Sequence, residues 1–150
     1  MIIYDSLFPK EFCESMIYEG KYAVETSNGN FYRFTYPPYR FAVDAENYLL
    51  GAGFKSQCDI TYFSKRIPGD ISIYSQLQDS NYTSLIYFIN DNYKGGNIIT
   101  KDNIVEPVYN RGVYFDTELG VDFKPVLEGT QYLLVMYFRK EPIKYNKSII

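Results

Sequence analysis

Tyr82-Thr-Ser-Leu-Ile-Tyr-Phe-Ile-Asn90, followed by Asp91-Asn-Tyr-Lys-Gly-Gly96, is the stretch on which the fold turns. A run rich in β-branched and aromatic residues passes straight into turn residues, which predicts a strand and a hairpin turn at Gly95-Gly96. The pattern then repeats downstream. Residues 97–100 predict a short strand, Lys101-Asp-Asn103 a turn, and 104–108 the next strand. Asn110-Arg-Gly112 turns the chain into a strand at 113–116, and Glu128-Gly-Thr130 separates strands at 121–126 and 131–139. Short strands at this spacing, with Gly, Asn and Asp between them, predict an all-β sandwich or barrel and argue against a parallel βαβ sheet.

Upstream, residues 8–18 predict a helix: Pro9 suits its first turn, Phe12, Met16 and Ile17 or Tyr18 supply an apolar face, and Gly20 ends it. Residues 21–26 alternate like a strand, Ser27-Asn-Gly-Asn30 suits a type I′ hairpin, and 31–36 return until Pro37-Pro38. A second helix is expected over 41–53, with Asp44 as a possible N-cap, Leu49 and Leu50 on its apolar side, and Gly51 and Gly53 at its end. Residues 54–65 open the main sheet, with Cys58, Ile60 and Tyr62 on one face and Asp59, Thr61 and Phe63 on the other. Pro68-Gly-Asp70 turns the chain into 71–77, and the loop 78–81 follows. The expected organisation is one domain over 1–150: a helical region to about 53, a β-core over 54–139, and a tail, 140–150, that is either an arm on a neighbour or a frayed terminus.

At 150 residues such a domain buries about 68–70% of its unfolded surface. Seventeen Tyr and eleven Phe make it aromatic, and tyrosine suits both half-covered strand faces and contact surfaces. A net charge of −3 without a basic stripe predicts no nucleic-acid partner and no attraction to anionic membranes. No apolar run reaches membrane-spanning length, and Met-Ile-Ile-Tyr-Asp-Ser lacks the basic and apolar regions of a signal peptide, so synthesis in the cytoplasm is expected. On that reading the sequons at Asn81 and Asn146 are chance matches, and Cys13 and Cys58 are free thiols rather than a pair. The most informative count is zero, for the chain has no histidine.

The β-region also carries a family resemblance. Thr83-Ser-Leu-Ile-Tyr-Phe-Ile-Asn90, Gly95-Gly96, Pro107, Gly112, Phe115-Asp116, Pro125-Val126, Gly129, and Tyr132 up to Tyr137-Phe138-Arg139 resemble the catalytic core of prolyl 4-hydroxylases. These belong to the Fe(II)/2-oxoglutarate dioxygenases, and the resemblance covers roughly the C-terminal half of the chain. It implies a mainly β fold, a double-stranded β-helix or jelly roll, with N-terminal helices packed on one face.

The resemblance also implies where the chemistry would sit. A non-haem iron centre needs two His and one carboxylate with open positions left for co-substrates. The family's His-x-Asp pair aligns with Gln76 and Gln78 or, with a small gap, with Leu77 and Asp79. The distal histidine, four residues before the Pro-Val, aligns with Val121. The basic residue that holds the distal carboxylate of 2-oxoglutarate, two after the turn glycine, aligns with Gln131. At most Asp79 remains as a ligand. A replacement oxygen-ligand centre from Asp79, Asp116, Glu118 and Asp122 is chemically possible, but solvated loop carboxylates are the simpler reading. Neither cysteine has a histidine to activate it.

Two functions of different class follow. The first is a non-catalytic structural or assembly protein, a pseudoenzyme without catalytic, cofactor or metal residues, working through protein partners as a homo-oligomer or in a larger assembly. The weakly charged, Tyr-rich composition and the bias to Ile, Asn and Lys are similar to proteins of tailed phages, which points to a virion neck, tail or capsid accessory component. The alternative is an Fe(II)/2-oxoglutarate-dependent oxygenase with an atypical or partner-completed metal site.

Overall fold

The computed structural model describes residues 1–26, 31–34, 47–49, 57–69 and 80–140. In chain order the elements are β1 (Ile2–Tyr4), α1 (Lys10–Thr26), β2 (Phe31–Phe34), β3 (Gln57–Arg66), β4 (Tyr82–Phe88), β5 (Lys94–Gly95), β6 (Ile98–Ile99) and β7 (Ile104–Val105). There follow β8 (Gly112–Asp116), a 3-10 turn (Thr117–Leu119), β9 (Asp122–Phe123), β10 (Val126–Glu128) and β11 (Gln131–Arg139). Residues 47–49 are helical. The protein is mainly β, and every strand pairing among the described residues is antiparallel.

A six-stranded sheet in the order β1-β8-β4-β11-β3-β2 forms the backbone of the fold. Strands β4 and β11 lie side by side at its centre, where both faces are covered and a continuous hydrophobic run is what burial demands. A three-stranded ribbon, β7-β6-β9, and a pair, β10-β5, complete the sheet structure. Side chains alternate along β11. Tyr132, Leu134, Met136 and Phe138 join Phe8, Cys13 and Met16 in a cluster on the helix side. Leu133, Val135 and Tyr137 join Ile98, Val105, Phe115 and Val121 in a second cluster on the other face.

The structure corrects four sequence expectations. Helix α1 runs through Gly20 to Thr26, so 21–26 is helix and not strand. A glycine in a helix interior costs only about 1 kcal/mol, which packing of α1 against β3 outweighs. Gly95 lies inside β5, paired with Val126, rather than in a hairpin turn. There its missing side chain matters, because a Cβ would sit 2.3 Å from the Pro125 carbonyl. The strand expected over 121–126 breaks into β9 and β10 around Lys124-Pro125 and begins after Val121, since proline cannot donate to a ladder. Finally, Cys58 does not share the face of Tyr62: it packs with Phe63 on the helix side, because the β3–β11 register shifts between Tyr137 and Phe138.

The expected hairpin turn at 27–30, the strand at 71–77, the limits of the second helix, including Asp44, Leu50, Gly51 and Gly53, and the tail beyond Lys140 lie outside the described residues. Leu49 is buried in the helix-side cluster, as its apolar position predicts. Among the described residues no helix is long and apolar enough to cross a membrane.

Candidate functional site

The inner cluster is where the family resemblance places chemistry, and its polar groups can be built up from strand register. Arg66 ends β3 and is the direct cross-strand partner of Gln131, the first residue of β11. Period-two alternation along β3 carries Tyr62, Ser64 and Arg66 to the same face, beside Val135, Leu133 and Gln131. Arg66 is 3% exposed and Gln131 0% exposed.

These two side chains form the centre of a hydrogen-bonded network. Arg66 Nη1 donates to Gln131 Oε1 at 2.8 Å, and Nη2 donates to the Lys124 carbonyl at 3.2 Å. The guanidinium lies 4.7 Å from the centre of the Phe123 ring, within cation–π range. Gln131 Nε2 donates to the Tyr93 hydroxyl at 2.9 Å and to the Gly96 carbonyl at 2.8 Å. An amide nitrogen has two donors, so both are used. Burial pushes the Tyr93 phenol well above its ordinary range, which keeps it neutral. Gly96 is tied to this arrangement, because a Cβ there would meet Gln131 Nε2 at 2.6 Å. Deeper on the same face the Tyr62 and Tyr137 hydroxyls pair at 3.4 Å. No buried side-chain nitrogen or oxygen among the described residues lacks a hydrogen-bond partner.

Val121 follows a different route inward. Asp116 caps the 3-10 turn by accepting from the Glu118 N–H at 3.2 Å, and it also pairs with Lys140 Nζ. That pairing holds the Asp116 carboxyl below the usual carboxylate range and raises the Lys140 ammonium. The chain leaves the turn at Gly120, and Val121 is then buried in the inner cluster. Ser80 and the segment from Thr117 to Gly120 line an open depression of about 660 Å³. The segments next to positions 79 and 121, remote in sequence, are thus brought to one end of the sheet.

Gln76, Leu77, Gln78 and Asp79 lie outside the described residues. Among the described residues no three His, Cys, Asp or Glu side chains gather as a metal-ligand group. Asp116 is committed to its cap and ion pair, while Glu118 and Asp122 are exposed. Val121 carries no donor atom for a metal, and Gln131 offers a carboxylate neither a charge nor an unused N–H. Cys13 and Cys58 are free thiols.

Sequence reasoning missed Arg66, Tyr93 and Asn110. The alternation of β3, carried one residue beyond Lys65, was the available signal for Arg66. Asn110 read only as a turn residue, and it is indeed left-handed at φ 64°. It is also a buried clamp on the helix side: Oδ1 accepts from the Phe8 N–H at 3.0 Å and from the Tyr87 hydroxyl at 2.8 Å, while Nδ2 donates to the Phe8 carbonyl at 2.8 Å. Cys13 Sγ lies 3.2 Å from the same Tyr87 hydroxyl. No local pattern announces a contact between residues this far apart in the chain.

No protein-family model matches the sequence, and no curated protein matches it either. Solved structures do match in shape. The viral collagen prolyl hydroxylase of Paramecium bursaria Chlorella virus-1, in its 2-oxoglutarate complex, superposes with a TM-score of 0.68 at 13% identity, covering 94% of this chain and 96% of its own. A Pseudomonas putida prolyl-4-hydroxylase gives 0.67 at 14% identity, covering 94% and 92%. A Trichoplax adhaerens prolyl hydroxylase, in complex with a hypoxia inducible factor peptide fragment, gives 0.65 at 12% identity, covering 93% and 83%. The chain therefore shares the fold of the prolyl 4-hydroxylases, Fe(II)/2-oxoglutarate dioxygenases, over most of its length.

Proposed function

We propose that this protein is a non-catalytic structural or assembly module built on a jelly roll of the dioxygenase type, without the iron and 2-oxoglutarate ligands. The observation that carries the reading is Gln131. At the position where the family holds the co-substrate's carboxylate, this chain has a neutral, fully buried amide whose donors are both used internally. The absence of histidine from the whole chain supports the same reading for the metal, because a facial triad needs two imidazoles. A valine at 121 adds packing rather than ligation. The working partners are other proteins, in a homo-oligomer or a virion such as that of a tailed phage, a setting supported by composition. Exposed Ile2 and Ile3 on the outermost strand β1 suit pairing with a partner.

The test is calorimetry with Mn(II) plus 2-oxoglutarate, alongside a succinate-release assay, on the purified chain. The expected result is no heat of binding and no succinate above background. Micromolar binding or turnover sinks the proposal. Recovery of the chain from its source solely as a free monomer, without cross-linked neighbours, sinks the assembly part.

One observation favours the alternative, an oxygenase with an atypical site. Arg66 brings a positive charge to the place where Gln131 has none, 2.8 Å away. On that reading binding of 2-oxoglutarate survives in the wild type and is lost in Arg66→Gln.

A further inference from the structure

Arg66 and Gln131 are each other's cross-strand partners, nearly or wholly buried, and joined by a 2.8 Å hydrogen bond from the guanidinium to the amide oxygen. Among the described residues they are lined by the Phe123 ring against the guanidinium, the Lys124 carbonyl on Nη2, and the Tyr93 hydroxyl and Gly96 carbonyl on the amide nitrogen. We infer that this pair is a resident plug of the inner face, which fills with the chain's own cation and amide the place where a small dicarboxylate would be held. The inference rests on the non-catalytic reading above and deepens it. The plug also makes the change one-way, because returning a basic residue to position 131 sets a second cation against Arg66 in a site closed to water.

The geometry is specific about why. Gln131 meets Arg66 through an oxygen, an acceptor, and it meets Tyr93 and Gly96 through its nitrogen. A lysine has donors only, so Gln131→Lys replaces the acceptor that faces Arg66 with a like charge. Breaking up a buried charged arrangement in this way is strongly destabilising. The Cβ of any residue other than glycine at 96 points at the same amide, so Gly96 and Gln131 are also mutually adapted.

The experiment is a thermal-denaturation series on the whole chain: wild type, Gln131→Lys, Gln131→Met, Arg66→Gln, and the exchange Arg66→Gln/Gln131→Lys. The midpoint of Gln131→Lys is expected to fall by on the order of 10 °C, and Gln131→Met, which adds no charge, to fall by less. The exchange restores one cation and one amide and should regain at least half of the loss seen in Gln131→Lys, a non-additivity that reports direct coupling. If Gln131→Lys does not fold, recovery of folded protein in the exchange is the supporting result. Additive losses, or failure of both variants to fold, overturn the inference.

Millimolar succinate and 2-oxoglutarate are added to each protein as probes. Neither is expected to raise any midpoint. A rise in wild type that is lost in Arg66→Gln shows an anion site and not a plug. A Gln131→Lys protein as stable as wild type, or stabilised by either anion, overturns the inference as well. Succinate release by the wild type refutes the non-catalytic reading by a separate measurement, so the two failures are distinguishable.

Discussion

The two faces of β11 are built from the same alternating strand and serve different ends. The helix side joins Tyr132, Leu134, Met136 and Phe138 to Phe8, Cys13, Met16 and Leu49, and its polar atoms lie around Asn110 and Tyr87. The inner side joins Leu133, Val135 and Tyr137 to residues of the ribbon strands, and its polar atoms lie around Arg66 and Gln131. In a working dioxygenase the inner face has to leave room for metal and co-substrate. Among the described residues both faces of β11 carry a cluster of buried side chains. The difference lies in what the polar groups hold: on the helix side they fasten the chain's beginning to the sheet, and on the inner side they tie the adjoining ends of β3 and β11 to Tyr93, Gly96 and Lys124.

Truncating the two faces in parallel gives the largest expected effect. Leu133 and Leu134 are adjacent, each 0% exposed, and face opposite ways. Each Leu→Ala change should cost about 2–5 kcal/mol, with the two values close together, as measured by chemical denaturation. A Leu133→Ala cost well below that of Leu134→Ala breaks the comparison, since it shows an inner face loosely packed enough to hold a ligand.

The clamp comes next. Asn110→Ala removes the partners of the Phe8 N–H and carbonyl and of the Tyr87 hydroxyl, and should cost about 2–3 kcal/mol. Asn110→Gly loses the same bonds but suits the left-handed φ, so it should be the milder change by about 1 kcal/mol. Hydrogen exchange of the Phe8 and Cys13 amides locates the effect: faster exchange there, with β11 unchanged, sharpens the view of Asn110 as a local fastener. Equal loss of protection on both faces contradicts it.

The smallest effect is electrostatic. The hydrogen bond from Lys140 lowers the Asp116 pKa and raises that of Lys140. For the acid, the stabilisation is present above the unfolded value of about 3.9 and is lost as pH falls through the lowered folded value. For the lysine, it is present below about 10.4 and lost as pH rises through the raised value. Both groups face solvent, so Asp116→Asn should lower the midpoint at pH 7 by no more than about 2 °C and flatten the acid limb below pH 4. A larger loss means that the cap on the 3-10 turn, and with it the placement of Val121, contributes more than the ion pair.

Much of the fold was legible in the chain because strands announce themselves locally. The run 82–90 and the run 131–139 contain β4 and β11 almost to the residue, since a run rich in β-branched, aromatic and aliphatic residues and the flanking Asn, Asp and Gly are properties of neighbours in sequence. The misjudged places each had a non-local cause. Gly20 was read as a stop, yet α1 continues to Thr26, and the helix packs on β3. Gly95 was read as a turn, yet it is a strand residue pressed against the Pro125 carbonyl.

The sequence by itself determined that there is no imidazole to bind iron, that position 121 is aliphatic and that position 131 is uncharged, because these are matters of composition and order. Only the tertiary structure decided what stands there instead. Antiparallel register sets Arg66 opposite Gln131 from 65 positions away, and burial then turns that neighbourhood into a hydrogen-bonded pair. Cross-strand partners are chosen by the register of the whole sheet, which no window of sequence contains.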